Sequence, residues 1–70
     1  MKQVVATMAG NVWKIVVTVG EQVEEGQDVV ILESMKMEIP IAAEASGTVQ
    51  EIHVQEGDFV NEGDVLLTLE

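Results

Sequence analysis

Seventy residues make one small domain with no room for a second, and a chain this short buries only about 60% of its unfolded surface, so its core is thin. Thirteen Asp and Glu against three Lys and no Arg give a net charge of −10, which repels phosphate backbones and anionic lipid headgroups and leaves nucleic acid and membrane surfaces as poor partners. With no cysteine, neither a disulfide nor a thiolate metal site can staple the fold, which must rest on apolar strands. Met1-Lys2-Gln3 runs straight into Val4-Val5 without the apolar segment of a secretory signal, and no run approaches the roughly 18 residues of a membrane span. A soluble, cytoplasmic protein is expected.

In chain order, Val4-Val5-Ala6 reads as a short strand, and Gly10 opens a longer extended run from Asn11 to Val17. Thr18 to Gln22 turns at Gly20; Val23 is followed by a second turn, Glu24-Glu25-Gly26-Gln27, and then by the apolar run Val29 to Leu32. That run leads into Glu33-Ser34-Met35-Lys36-Met37-Glu38, and a second extended run, Glu38 to Ala43 with Pro40 inside it, leads away. The pattern is a strand, a tight reversal and a returning strand, with the amine of Lys36 projecting from the reversal. Afterwards Ile41-Ala42-Ala43 is a short strand, Gly47 opens a run to Val54, Gly57 turns it, Phe59-Val60 is brief, Glu62-Gly63 turns again, and Val65 to Leu69 closes the chain.

The second half repeats the first. Laying Gly10 on Gly47 brings Val12 onto Val49, Ile15 onto Ile52, Val17 onto Val54, Gly20 onto Gly57, Val23 onto Val60, Gly26 onto Gly63 and Leu32 onto Leu69 without a gap, and the register extends back to Ala6 on Ala43. Glycines recurring at the same offset mark a recurring backbone demand, most often a positive φ. Two such halves pack about a pseudo-twofold axis, with Lys36 near the middle of the segment joining them. Val30 with Leu67 and Leu32 with Leu69 stay apolar and are assigned to the core, whereas Ile31 with Thr68 is assigned outward. Val12 and Val49 have the opposite parity to Ile15 and Ile52, which predicts bulges at Trp13-Lys14 and Gln50-Glu51. Short strands punctuated by regular turns define an all-β sandwich or flattened barrel.

The inventory for catalysis is short: no cysteine, one histidine, and no nucleophile with a base and an orienting partner. His53 stands opposite Val16 at an outward parity and reads as a solvated strand histidine; Glu24, Glu25 and Glu62 read as turn residues. No His, Cys or Asp spacing suits a metal, and no phosphate loop is present. One presented amine remains. A lysine ammonium is a poor nucleophile unless its charge is disfavoured, and Glu33 and Glu38 favour it, so Lys36 suits acylation by a partner that brings an activated acid better than Schiff-base chemistry. Two large apolar side chains beside it, Met35 and Met37, are an unusual choice for a turn that needs only solubility. The turn also lacks the Asn-Gly, Asp-Gly or Gly-X pair that two-residue hairpins use.

Glu-Ser-Met-Lys-Met-Glu, with glycine-punctuated half-motifs on both sides, resembles the biotinyl domains of biotin-dependent carboxylases, whose attachment motif is usually Ala-Met-Lys-Met. The likeness covers essentially the whole chain, residues 1–70, and is strongest to stand-alone single-domain biotin/lipoyl attachment proteins. Ser34 stands where the family usually has Ala, and Thr7 and Ala9 replace the prolines of Ala-Pro-Met-Pro-Gly. The resemblance implies a flattened barrel-sandwich hybrid of two four-stranded antiparallel sheets with an internal pseudo-twofold repeat, Lys36 on a hairpin at one end and both termini at the other. It further implies biotin in amide linkage to Lys36, placed by a biotin protein ligase that reads Met35 and Met37. The arm would carry carboxylate from a biotin carboxylase to a carboxyltransferase, with no catalysis by the domain, which would be monomeric. No stretch is long enough for the extra thumb of some biotinyl domains. Two readings compete. A lipoyl domain, modified by a lipoate ligase and shuttling acyl or aminomethyl groups, shares the fold but usually carries Asp-Lys-Ala. A structural barrel-sandwich module without cofactor needs no presented lysine.

Overall fold

The computed structural model describes residues 2–70. The chain forms strands β1 (Lys2–Val5), β2 (Gly10–Ile15), β3 (Gln22–Val23), β4 (Asp28–Ser34), β5 (Met37–Ala42), β6 (Gly47–Ile52), β7 (Phe59–Val60) and β8 (Val65–Leu69). They build two four-stranded antiparallel sheets, ordered β1-β8-β6-β3 and β5-β4-β2-β7. Exchanging β1 to β4 for β5 to β8 converts one order into the other, which is the pseudo-twofold expected from the repeat. Each sheet draws strands from both halves, so neither half can satisfy its backbone alone.

The apolar residues common to both copies fill the space between the sheets. Leu32, Leu67, Leu69, Val12, Val30 and Val49 are all buried to within about 1% of full enclosure. At roughly 1.5–3 kcal/mol for each fully buried large apolar side chain, these positions supply much of what opposes chain entropy. Bulges occur at the predicted places. Val12 pairs with Leu32 and Lys14 with Ile31, leaving Trp13 as the extra residue, and Val49 pairs with Leu69 and Glu51 with Thr68, leaving Gln50. A second pair of bulges was not expected: Val29 lies unpaired between Asp28 and Val30 opposite β5, and Leu66 between Val65 and Leu67 opposite β1. The extra residue resets the alternation, so Val29-Val30 and Leu66-Leu67 both turn inward in succession.

Four turns of one design lock the halves together. In Thr18-Val19-Gly20-Glu21, Glu24-Glu25-Gly26-Gln27, Gln55-Glu56-Gly57-Asp58 and Asn61-Glu62-Gly63-Asp64, the fourth N–H donates to the first carbonyl, and the first N–H donates to the side chain of the fourth residue. Glycine stands third with φ of +87° to +97°, the requirement of a type II turn. Each turn then clips onto the opposite half, as where Gly57 donates to Val12 and Val12 to Asp58, and Gly20 to Val49 and Val49 to Glu21. The acidic residues Glu21, Asp58 and Asp64 are therefore turn closers.

Three expectations need correction. Gly10 and Gly47 have no positive φ; they are needed because a Cβ there would meet the carbonyl oxygens of Glu33 and Glu70 at 2.9 and 2.8 Å. Thr68 has the predicted outward parity, pairing with Glu51, but is buried, because the His53 ring covers it and shares a 2.7 Å hydrogen bond with its hydroxyl. His53 is exposed, as expected, but lies just past β6 rather than within a strand, with Nδ1 3.9 Å from Glu51 Oε2.

Candidate functional site

β4 and β5 stay paired through six register positions, from Asp28 opposite Ala42 to Ser34 opposite Met37, leaving Met35 and Lys36 as a two-residue loop. Such a loop matches the strand twist as a type I′ or II′ turn, and φ of 53° at Met35 and 64° at Lys36 is the type I′ pattern, positive at both residues. Neither residue favours that region. For an L-residue with a Cβ it costs about 1–2 kcal/mol each, a strain that persists only where the surroundings over-determine the backbone. The surroundings here are a long hairpin whose Leu32 is fully buried, whose Ile39 packs on the core, and whose Glu33, at the foot of the projecting tip, is pressed against β2 at Gly10.

The result is a tip with a free amine. Met35 is 88% exposed and Met37 59%, and Lys36 is exposed between them. The three lysines differ in what they touch. Lys2 donates from Nζ to the Ser46 carbonyl at 2.8 Å, and Lys14 lies 5.3 Å from the centre of the Trp13 ring. Among the described residues, Lys36 has neither a hydrogen bond nor an ion pair. An amine held clear of the body on a fixed turn, with its own proton donors unspent, suits amide formation inside another protein's active site. The structure thus brings together the sequence-predicted residues Met35, Lys36 and Met37 at one point.

Sequence reasoning missed the flank of the hairpin. Glu38 stands opposite Glu33, Glu33 opposite Asn11, and Asn11 opposite Phe59, so one row runs across the sheet from beside the lysine turn to the exposed ring of Phe59. Two carboxylates facing each other in adjacent strands repel. A signal for the flank was present in the repeat, where Phe59 stands against Gln22 and Trp13 against Gln50. A recess of about 450 Å³ beside Glu70, with Ser46 and Thr48 in its wall, lies at the repeat counterpart of the Gly10–Glu33 contact, and Lys2 donates to the Ser46 carbonyl there.

A barrel-sandwich of two interlocked halves with a lysine on the joining turn is the architecture expected of an attachment domain. The comparisons agree. The family model described as "Biotin-requiring enzyme" matches residues 2–69, and the chain belongs to this biotin/lipoyl family. It is 68% identical over 62 residues to the biotin/lipoyl attachment protein of Bacillus subtilis, covering 89% of this chain and 85% of that one. It is 50% identical over 64 residues to the biotin carboxyl carrier protein of Streptococcus mutans, covering 91% of this chain and 49% of the relative. The crystal structure of Kluyveromyces lactis urea carboxylase superposes with a TM-score of 0.92 at 36% identity, over 99% of this chain but only 6% of that one. In such large relatives the chain corresponds to one small part.

Proposed function

We propose that residues 1–70 form one biotin carrier domain, with biotin in amide linkage to Nζ of Lys36. The observation that carries this reading is the unpartnered Lys36 amine on a strained two-residue turn between the repeat halves. A biotin protein ligase brings the activated carboxyl; the amine loses a proton, the amide bond forms and the activating group leaves. Biotin, when bound, supplies a ureido nitrogen that takes carboxylate at an ATP-dependent biotin carboxylase and yields it at a carboxyltransferase. The domain catalyses neither step. Its own residues hold the arm away from the body: β4 and β5 fix its origin, and Met35 and Met37 give the ligase two flexible, polarizable apolar contacts. The domain acts as a monomer in the cytoplasm, which supplies the ATP.

Among the described residues no helix is long and apolar enough to cross a membrane. Lipoate is the second reading, favoured by the 68% identical relative, a biotin/lipoyl attachment protein of Bacillus subtilis. The neighbours of the lysine weigh against it, since a carboxylate in place of Met35 is what a lipoate ligase usually meets, and that carboxylate would resist desolvation in an apolar ligase contact. Intact mass after exposure to both ligases, biotin and lipoate decides. The wild type is expected to gain chiefly biotin, and Met35→Asp with Met37→Ala to shift toward lipoate while staying folded. An unchanged ratio in the double variant moves recognition away from these two side chains, and an unmodified wild type removes the carrier reading.

A further inference from the structure

The repeat gives every outward position a control in the same molecule. On the sheet that carries the lysine hairpin, the outer face presents Trp13, Val16, Ile31 and Phe59; at the equivalent positions the other sheet has Gln50, His53 and Gln22, with Thr68 buried under the His53 ring. The two backbones share strand order, bulges and turns, so the fold does not require apolar side chains on the outside of either sheet. Yet Phe59 is 62% exposed, Val16 44% and Trp13 41%. The bulge in β2 turns Trp13 and Lys14 outward together, and the Lys14 ammonium lies over the indole. Apart from Val19 in its turn and the two methionines at the hairpin tip, the exposed large apolar side chains all lie on this face, and exposed apolar surface gathered on one of two otherwise equivalent faces marks a contact surface.

This face is continuous with the hairpin. The row Phe59, Asn11, Glu33, Glu38 ends beside the lysine turn, and the next row, Lys14, Ile31, Pro40, continues down the same side. A second copy of the chain is a poor occupant, because two bodies of charge −10 repel. The facing carboxylates of Glu33 and Glu38 instead favour a partner that brings a cation to that edge. Resting on the carrier reading above, we infer that the outer face around Trp13 and Phe59 docks the biotin carboxylase component, through an apolar patch whose rim is cationic toward Glu33 and Glu38. The carboxylase, rather than a transferase, is the occupant because an arm must be loaded whatever the final acceptor.

The test copies one half of the molecule onto the other. Trp13→Gln with Phe59→Gln gives the hairpin sheet the residues that Gln50 and Gln22 already supply on the other sheet. The biotinylated chain is titrated against purified biotin carboxylase with MgATP and labelled bicarbonate, and label on the domain, separated by rapid gel filtration, gives KM and kcat. The expected result is a KM for the domain raised tenfold or more with kcat within twofold, while the biotinylation rate by the ligase stays within twofold and sedimentation shows a monomer before and after. A KM within twofold of wild type overturns the proposal. So does an equal loss in the ligase reaction, which would make the face a ligase surface, or a wild-type dimer that the substitutions dissociate. If circular dichroism shows the double variant unfolded, Phe59→Gln alone, on an edge strand of two residues, takes its place with at least a threefold rise expected and no rise overturning the inference. A wild-type domain that takes no label although free biotin does sinks the carrier reading as well, a result distinct from a labelled wild type and an unaffected variant.

Discussion

The two halves of this molecule are alike inside and unlike outside. Leu32 and Leu69, Val12 and Val49, Val29 and Leu66, and Gly10 and Gly47 do the same work in each half, and so do all four glycine turns. Outside, one half ends its long strand β4 at Ser34 and passes directly into the Met35-Lys36 turn, while the other ends its long strand β8 at Leu69, opposite Lys2. What is written twice is the fold. What is written once is Lys36, its methionines and the apolar flank around Trp13, and function is expected there.

The largest effects should come from the shared positions and be equal across the halves. Leu32→Ala and Leu69→Ala each remove a fully buried side chain and are expected to cost about 2–5 kcal/mol through transfer and cavity terms. Urea midpoints would show it, and a marked inequality between the two would mean that the halves do not carry the core equally. Next come Gly10→Ala and Gly47→Ala. Each places a Cβ within 3 Å of a backbone carbonyl oxygen, on Glu33 or Glu70, and forcing such contacts apart is expected to cost about 1–3 kcal/mol. Here the comparison sharpens: only Gly10→Ala should also slow biotinylation, because it moves β2 against the foot of the projecting lysine tip. Equal ligase rates for the two variants would show that the foot of the tip need not be held so closely. The smallest effect belongs to Lys36→Ala, an exposed side chain without partners, which should change stability by no more than about 0.5 kcal/mol in the same denaturation assay.

Much of this was legible because the repeat let each residue be read against its counterpart. Parity failure at Val12 and Val49 exposed the Trp13 and Gln50 bulges, and the single lysine in the joining segment pointed to the candidate site. The Val29 and Leu66 bulges were hidden because two adjacent apolar residues in a buried strand look the same whether the chain alternates or not. Thr68 misled because its burial depends on the His53 ring, a contact across strands that parity does not contain. The positive φ at Met35 and Lys36 could not be read from residues that avoid it; the long β4–β5 pairing imposes it from outside the turn. The apolar flank was in view as Trp13 against Gln50 and Phe59 against Gln22, but became a surface only once the sheets showed these side chains on one face beside the hairpin.

The central claim is that one amine carries the function, and Lys36→Arg tests it while keeping a positive charge at the tip. The full-length chain and this variant are exposed to biotin protein ligase, ATP and biotin, then probed with streptavidin and weighed intact. Wild type gaining a single biotin and Lys36→Arg gaining none is the predicted result. Biotin on the variant, at Lys2 or Lys14, would contradict the account.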